Sequence, residues 1–308
     1  MPIVTISSLL PKFIDYMAIE RRFTPATIKK YREDLEWFMR HIGDLPVTDI
    51  RAEHFFAIKS QLTKKGAHAS RISSVIAGLK CLLIYCETSL HLSVFDPKHI
   101  RAPRIPRREV VYLTLEELNQ FVSSIKLETE WGETPRPVGY CFRALTETLA
   151  GTAMRLSEAL SLNRDSIDFE KREAVIIGKG GKQRPVYFTP RVLEWISRYV
   201  TLRRDNNPPL FATLKGHRLG PGTVDAMFKR LSQRAGMVKR VTPHILRHTA
   251  ATILLRNGCP IGHIKEMLGH EHLITTCRYY LGIIDKAETK RAVEKFMIMV
   301  NPEDDSRP

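Results

Sequence analysis

Disulfide chemistry is the first thing this sequence lacks. Its five cysteines, Cys81, Cys86, Cys141, Cys259 and Cys277, are odd in number and form no C-x-x-C pair. That pattern fits reduced thiols and excludes a disulfide framework. Long apolar runs are missing too. No stretch approaches the roughly eighteen consecutive apolar residues of a membrane span, and the N-terminus, MPIVTISSLLPKF, has no basic region ahead of a long apolar one. Neither a membrane span nor a signal peptide is expected, and a cytoplasmic location is. The string GKGGK suggests a nucleotide loop, but the G-x-x-x-x-G-K-[ST] spacing and the strand-to-helix context are absent. His244 and His248 lie four apart, and Cys259, His263, His270 and His272 share one short region. With no H-E-x-x-H or paired C-x-x-C to organise them, a metal site is not expected.

Acidic residues are outnumbered, 33 against 48 Lys and Arg, for a formal net charge of +15. The excess is spread over both sides of Arg108. Such a field favours polyanions, either nucleic acid or an acidic membrane surface. A basic enzyme with solvated lysines is the plainer alternative, since net charge speaks to association and not to fold. With 43% apolar residues in 308, the chain can bury the core of one large domain or two ordinary ones.

The first hundred residues read as helices joined by short turns. In FTPATIKKYREDLEWFMRHIG, Thr24 is an N-cap with Pro25 at the first helical position, and Ile28, Tyr31, Leu35, Phe38 and Ile42 recur at helical spacing until Gly43. A helix carrying Leu10, Phe13, Ile14 and Met17 precedes it. Two more follow, at about Ala52–Lys64 and Ala69–Cys86. The stretch DPKHIRAPRIPRREVVYLT then loses both periodicities and reads as a basic, proline-containing linker. Thr114 and Glu117 form a capping-box pattern that opens a second unit, with helical patterns to about Leu162. Ala174–Ile177 and Arg184–Phe188 flank a glycine-rich turn and read as a β-hairpin. The rest reads as helical. The expected domains are 1–98, a linker at 99–112, a second domain at 113–300 and a disordered tail at 301–308.

Four separated segments carry the chemistry: GTAMRLSEALSL with Arg155, GKGGKQR with Lys179, TPHILRHTAAT with His244 and Arg247, and LGHEHLITTCRYY with His270 and Tyr279. Each alone has a structural reading. Arg155 can pair with Glu158 on its own helix, Lys179 is an exposed turn residue, and His244 caps a helix start. Together they match what cutting a phosphodiester requires: neutralised equatorial oxygens, a protonated leaving oxygen and an in-line nucleophile. Arginines and histidines supply the first by charge-assisted hydrogen bonds. A lysine on a hairpin serves as general acid. A tyrosine phenol, with a reference pKa near 10, serves as nucleophile once activated and yields a phosphotyrosyl ester that a hydroxyl can attack again.

The order Arg, Lys, His-x-x-Arg, Leu-Gly-His, Tyr resembles the tyrosine site-specific recombinase (phage integrase) family over essentially the whole chain. The resemblance aligns Arg155, Lys179, His244, Arg247 and His270 with the family's catalytic residues and Glu158 with a supporting acid. Counting nine residues beyond His270 places the nucleophile at Tyr279 rather than Tyr280. It implies a mainly α fold with a small β-hairpin or sheet, an N-terminal helical core-binding (SAM-like) domain and a mixed α/β catalytic domain. It also implies a 3′-phosphotyrosyl intermediate with neither metal nor nucleotide cofactor. The partners implied are double-stranded DNA with paired inverted half-sites, a tetramer on two sites and, in some settings, a second recombinase or accessory protein. DKAETKRAVEKFMIMV would be the C-terminal helix that docks on a neighbour, with Phe296, Met297 and Met299 as anchors. Candidate DNA-facing residues are Lys29, Lys30, Arg71, Ser74 and Lys80.

Length and layout are Xer-like, but YYLGI stands where the Xer pattern commonly has threonine and histidine after the nucleophile. An integrase or resolvase of a mobile element therefore stays open beside a chromosome-dimer resolvase. A type IB topoisomerase-like nicking-closing enzyme and a catalytically silent DNA-binding protein of the same fold are the alternatives.

Overall fold

The computed structural model describes residues 4–103, 110–129, 132–178, 181–272 and 276–277. The chain divides into two compact units, Met1–Arg108 and Glu109–Pro308. Among the described residues it is mostly helical, with two small antiparallel sheets.

The first unit holds four helices, α1 (Ile6–Ile19), α2 (Pro25–His41), α3 (Ala52–Lys64) and α4 (Ala69–Leu90). The Thr24 hydroxyl accepts from the Thr27 backbone N–H at 3.3 Å, capping α2 as its sequence predicts. Phe13, Leu35, Phe38, Ile58 and Leu79 are fully buried, each contributing about 1.5–3 kcal/mol by leaving water. Helix α4 runs four residues past the expected Cys86. By length and composition it is apolar enough to cross a membrane, yet Ile72, Val75, Ile76, Leu79, Leu82 and Leu83 face the core of this unit. Gly78 lets α4 approach α2: a Cβ there would lie 3.2 Å from the Cβ of Asp34.

The second unit opens with α5 (Leu115–Ser123), whose capping box forms: Glu117 Oε2 accepts from Thr114 N–H at 2.9 Å and Thr114 Oγ1 from Glu117 N–H at 3.2 Å. A short hairpin, β1 (Glu128–Thr129) and β2 (Gly132–Pro135), interrupts the stretch read as continuously helical. Pro135 and Pro137 explain the break, because neither donates a backbone N–H. Helix α6 (Pro137–Thr152) is the centre, packed on α8 (Pro190–Leu202) and α10 (Pro243–Arg256). Leu145, Leu149, Ile196, Phe228 and Leu246 are buried there. Between them lie α7 (Leu156–Ser161) and the second hairpin, β3 (Glu173–Ile177) with β4 (Gln183–Tyr187), within a residue of its expected span. One face of that hairpin, Ala174, Ile176 and Val186, is core, and the other is exposed. The remaining helices are α9 (Pro221–Arg234) and α11 (Ile261–Leu268).

Candidate active site

Helix α6 ends at Ala153, which adopts a left-handed φ of 53°. The reversal places Arg155 at the N-cap of α7, and Glu158 in the first turn accepts from the Arg155 backbone N–H at 2.8 Å. The other carboxylate oxygen of Glu158 accepts from Nη1 of Arg155 at 2.8 Å. A second guanidinium reaches the same carboxylate from β4, Arg184 Nη2 donating to Oε2 at 2.9 Å. Glu158 is 5% exposed. Burial pushes its carboxyl up, but the hydrogen bonds from Arg155 and the charges of Arg184 and Arg155 outweigh that and hold it below its ordinary value.

Arg247, on the second turn of α10, is 5% exposed. It donates from Nη1 to the Ala153 carbonyl at 2.6 Å and from Nη2 to the Leu268 carbonyl. Arg155 donates from Nη2 to the next carbonyl along, that of Gly269, at 3.2 Å. Arg155 and Arg247 are thus tethered to consecutive residues at the end of α11, immediately before His270. Gly269 suits that place on two counts. Its φ is 55°, a conformation glycine adopts freely, and a Cβ there would stand 2.6 Å from Arg184 Nε.

The His270 ring pairs through Nδ1 with the buried Thr276 hydroxyl at 2.9 Å. That leaves Nε2 for a ligand. Burial, then the charges of Arg247, Arg155, His248 and Arg184, pushes His270 down to about 4, so it is neutral at pH 7. His244 is exposed on the first turn of α10, one turn ahead of Arg247. Burial, then the charges of His244 and Arg247, lowers the neighbouring His248.

Arg155, Arg184, Gly269 and His270 line one cleft of about 970 Å³ between the hairpin and α11. Among the described residues no group of three or more His, Cys, Asp or Glu side chains is placed to hold a metal ion. Lys179, Tyr279 and the candidate anchors Phe296, Met297 and Met299 lie outside the described residues. Lys182, three residues past Lys179, is exposed and meets Glu271 Oε1 at 2.9 Å. Sequence reasoning missed Arg184 and Thr276. GKGGKQR contains the first, but nothing in its spacing singles it out.

The candidate DNA-facing residues of the first unit divide. Lys29, 3.9 Å from Glu33, and Lys30 are exposed on α2. Arg71 and Ser74 instead both turn onto the carboxylate of Asp34, which is 1% exposed, Ser74 Oγ at 2.5 Å. Lys80 donates to the Ile100 carbonyl.

The model of the phage integrase family matches residues 112–284, and that of the phage integrase N-terminal SAM-like domain matches residues 10–86. The chain is similar to the tyrosine recombinase XerD of Mycobacterium tuberculosis, 29% identical over 90% of this chain and 94% of the relative. It is also similar to the tyrosine recombinase XerC of Proteus mirabilis, 26% identical over 89% of each. Among solved structures, the Tn1549 transposon integrase in complex with circular intermediate DNA shares the fold at a TM-score of 0.72 and 19% identity, covering 92% of this chain and 98% of that one. A lambda integrase tetramer bound to a Holliday junction matches at 0.72 and 18%, covering 90% and 77%.

Proposed function

The chain belongs to the phage integrase family, and from that premise we propose that it cuts and rejoins DNA through a tyrosine-linked intermediate, with Tyr279 as nucleophile. Its activity is site-specific recombination, a strand exchange between DNA sites. In this reading Arg155 and Arg247 neutralise the non-bridging oxygens of the reacting phosphate, with Glu158 fixing the first guanidinium. His244 and neutral His270 complete the hydrogen bonding. Tyr279 Oη gives up its proton and bonds to phosphorus. The bond to the 5′ oxygen breaks, and that oxygen takes a proton from Lys179. The freed 5′-hydroxyl then attacks the partner strand's phosphotyrosyl link and releases the tyrosine.

Residues 1–98 and 113–300 act as core-binding and catalytic domains on a DNA site of paired inverted half-sites. Four protomers assemble on two sites, each C-terminal helix docking on a neighbour. The relatives are Xer enzymes and structural neighbours include a transposon integrase, so both a chromosome-dimer resolvase and a mobile-element recombinase remain as biological roles.

The observation that carries this reading is the convergence of three distant segments at one turn: Arg247 on Leu268, Arg155 on Gly269, and His270 next in the chain. The test is a nicked suicide duplex built on the half-site that the protein selects from random-sequence duplexes. A covalent protein–DNA adduct and exchange between two such sites are expected. Absence of an adduct would leave a silent DNA-binding protein, and an adduct without exchange would indicate a topoisomerase-like enzyme.

A further inference from the structure

Arg184 stands out among the described residues for what it leaves unused. Its Nη2 donates to Glu158, but its Nε and Nη1 are buried and have no hydrogen-bond partner. It is the one side chain among the described residues with two such atoms. A guanidinium has five donors and keeps its charge in proteins, so buried donors left idle point to a missing acceptor.

The surrounding charge points the same way. Glu158 supplies one carboxylate to two guanidiniums, those of Arg155 and Arg184, so the trio carries an uncompensated positive charge. Burial pushes the Arg184 pKa down; the charge of Glu158 offsets part of that, and the charge of Arg155 adds to the lowering. Arg184 lines the same cleft as Arg155 and His270, and its Nε lies so close to the Gly269 backbone that a Cβ there would stand 2.6 Å away.

We propose that Arg184 is a further phosphate-holding residue of this site, its Nε and Nη1 taking oxygens of the reacting DNA phosphodiester beside Arg155. A planar fork of donors matches the paired non-bridging oxygens of a phosphodiester. The assignment rests on the recombinase reading above. A purely bracing role, Arg184 holding Glu158 and thereby Arg155, accounts for Nη2 but leaves the other two nitrogens without a purpose.

The experiment compares adduct formation by wild type, Arg184→Ala and Arg184→Lys on two suicide duplexes. One carries an ordinary phosphodiester at the cleavage position, the other a methylphosphonate, in which a methyl group replaces one non-bridging oxygen and its charge. Arg184→Ala is expected to lose on the order of 100-fold on the phosphodiester, as for removal of one transition-state donor. It should recover most of that on the methylphosphonate, while wild type gains nothing. Equal impairment on both duplexes would reduce Arg184 to a brace, and an unimpaired variant would remove it from the site; either overturns the assignment. Duplex binding within about two-fold of wild type serves as the folding control. If the alanine variant fails it, Arg184→Lys decides: greater activity on the methylphosphonate than on the phosphodiester supports the assignment, and its absence overturns it. Failure of wild type itself to form an adduct would refute the recombinase reading and take this assignment with it.

Discussion

The carbonyl of Ala153 accepts from Nη1 of Arg247 at 2.6 Å, and Ala153 is itself held at a φ of 53°. An alanine in that region costs about 1–2 kcal/mol, whereas glycine occupies it freely. Ala153→Gly is therefore expected to stabilise the second unit by about 0.5–1 kcal/mol, after allowing for the greater freedom of glycine in the unfolded chain. Urea denaturation measures this. A lower midpoint would mean that the buried alanine methyl is worth more than the strain.

Gly269→Ala should act in the opposite direction. The new Cβ meets both an unfavourable φ and Arg184 Nε at 2.6 Å, costing about 2 kcal/mol or more. The displaced carbonyl also releases Arg155. Thermal melting is expected to show a lower midpoint and the suicide duplex less adduct. A variant that melts and cleaves like wild type would contradict the close packing at this turn.

Acid should weaken the fold through His270. Its folded-state pKa, about 4, lies below the ordinary 6.5, so the unfolded chain binds the proton more readily. The associated stability is complete above pH 6.5 and is lost as pH falls toward 4. His248, lowered in the same direction, adds to the trend. His270→Gln should flatten this part of the stability profile, measured as urea midpoints from pH 7 to 4. An unchanged slope would assign the acid sensitivity to other groups.

Arg71→Ala is expected to unfold the first unit more readily rather than only weaken DNA binding. It strands the Asp34 carboxylate, 1% exposed, with Ser74 as a remaining partner; because the Arg71 side chain is 38% exposed, the cost is about 1–3 kcal/mol, that of leaving a buried acceptor under-satisfied. Lys30→Ala should leave stability within about 0.5 kcal/mol of wild type. It should reduce the dependence of DNA affinity on salt if that lysine meets a phosphate. Parallel denaturation and salt titrations of the two variants separate the roles.

Tyr279→Phe is expected to abolish the covalent adduct, and Tyr280→Phe to retain it. Adjacent side chains point about 100° apart on a helix and to opposite faces on a strand, so two neighbouring hydroxyls do not serve one phosphate. An adduct from Tyr279→Phe but not from Tyr280→Phe would move the nucleophile by one residue.

Local signals in the sequence were readable where one segment decides its own structure. Thr24 and the Thr114–Glu117 box cap the helices they were expected to cap, and two short β-rich runs around a glycine-rich turn located the β3–β4 hairpin. The chemical pattern came from the groups a phosphodiester requires, whatever the fold, and of those groups the structure brings Arg155, Arg247 and His270 to one turn. The β1–β2 hairpin was not, since its two short strands are too brief for a period to register. Nor was the fate of Arg71 and Ser74. Their basic, polar character suggested a phosphate, but a carboxylate on another helix, some forty residues back, claims them. Arg184 was invisible for the same reason. Its contact with Glu158, a residue on a different element, leaves no trace in the local spacing.

The tether at the end of α11 also sets when the site can exist. Arg155 is held by Gly269 and Arg247 by Leu268, and Arg155 is made long before its partner during synthesis. Contacts of such sequence separation close late, after loop-closure entropy has been overcome. A nascent or half-folded chain therefore carries the arginines without the turn that aims them, and a positively charged protein can meet chromosomal DNA before it has the means to cut it.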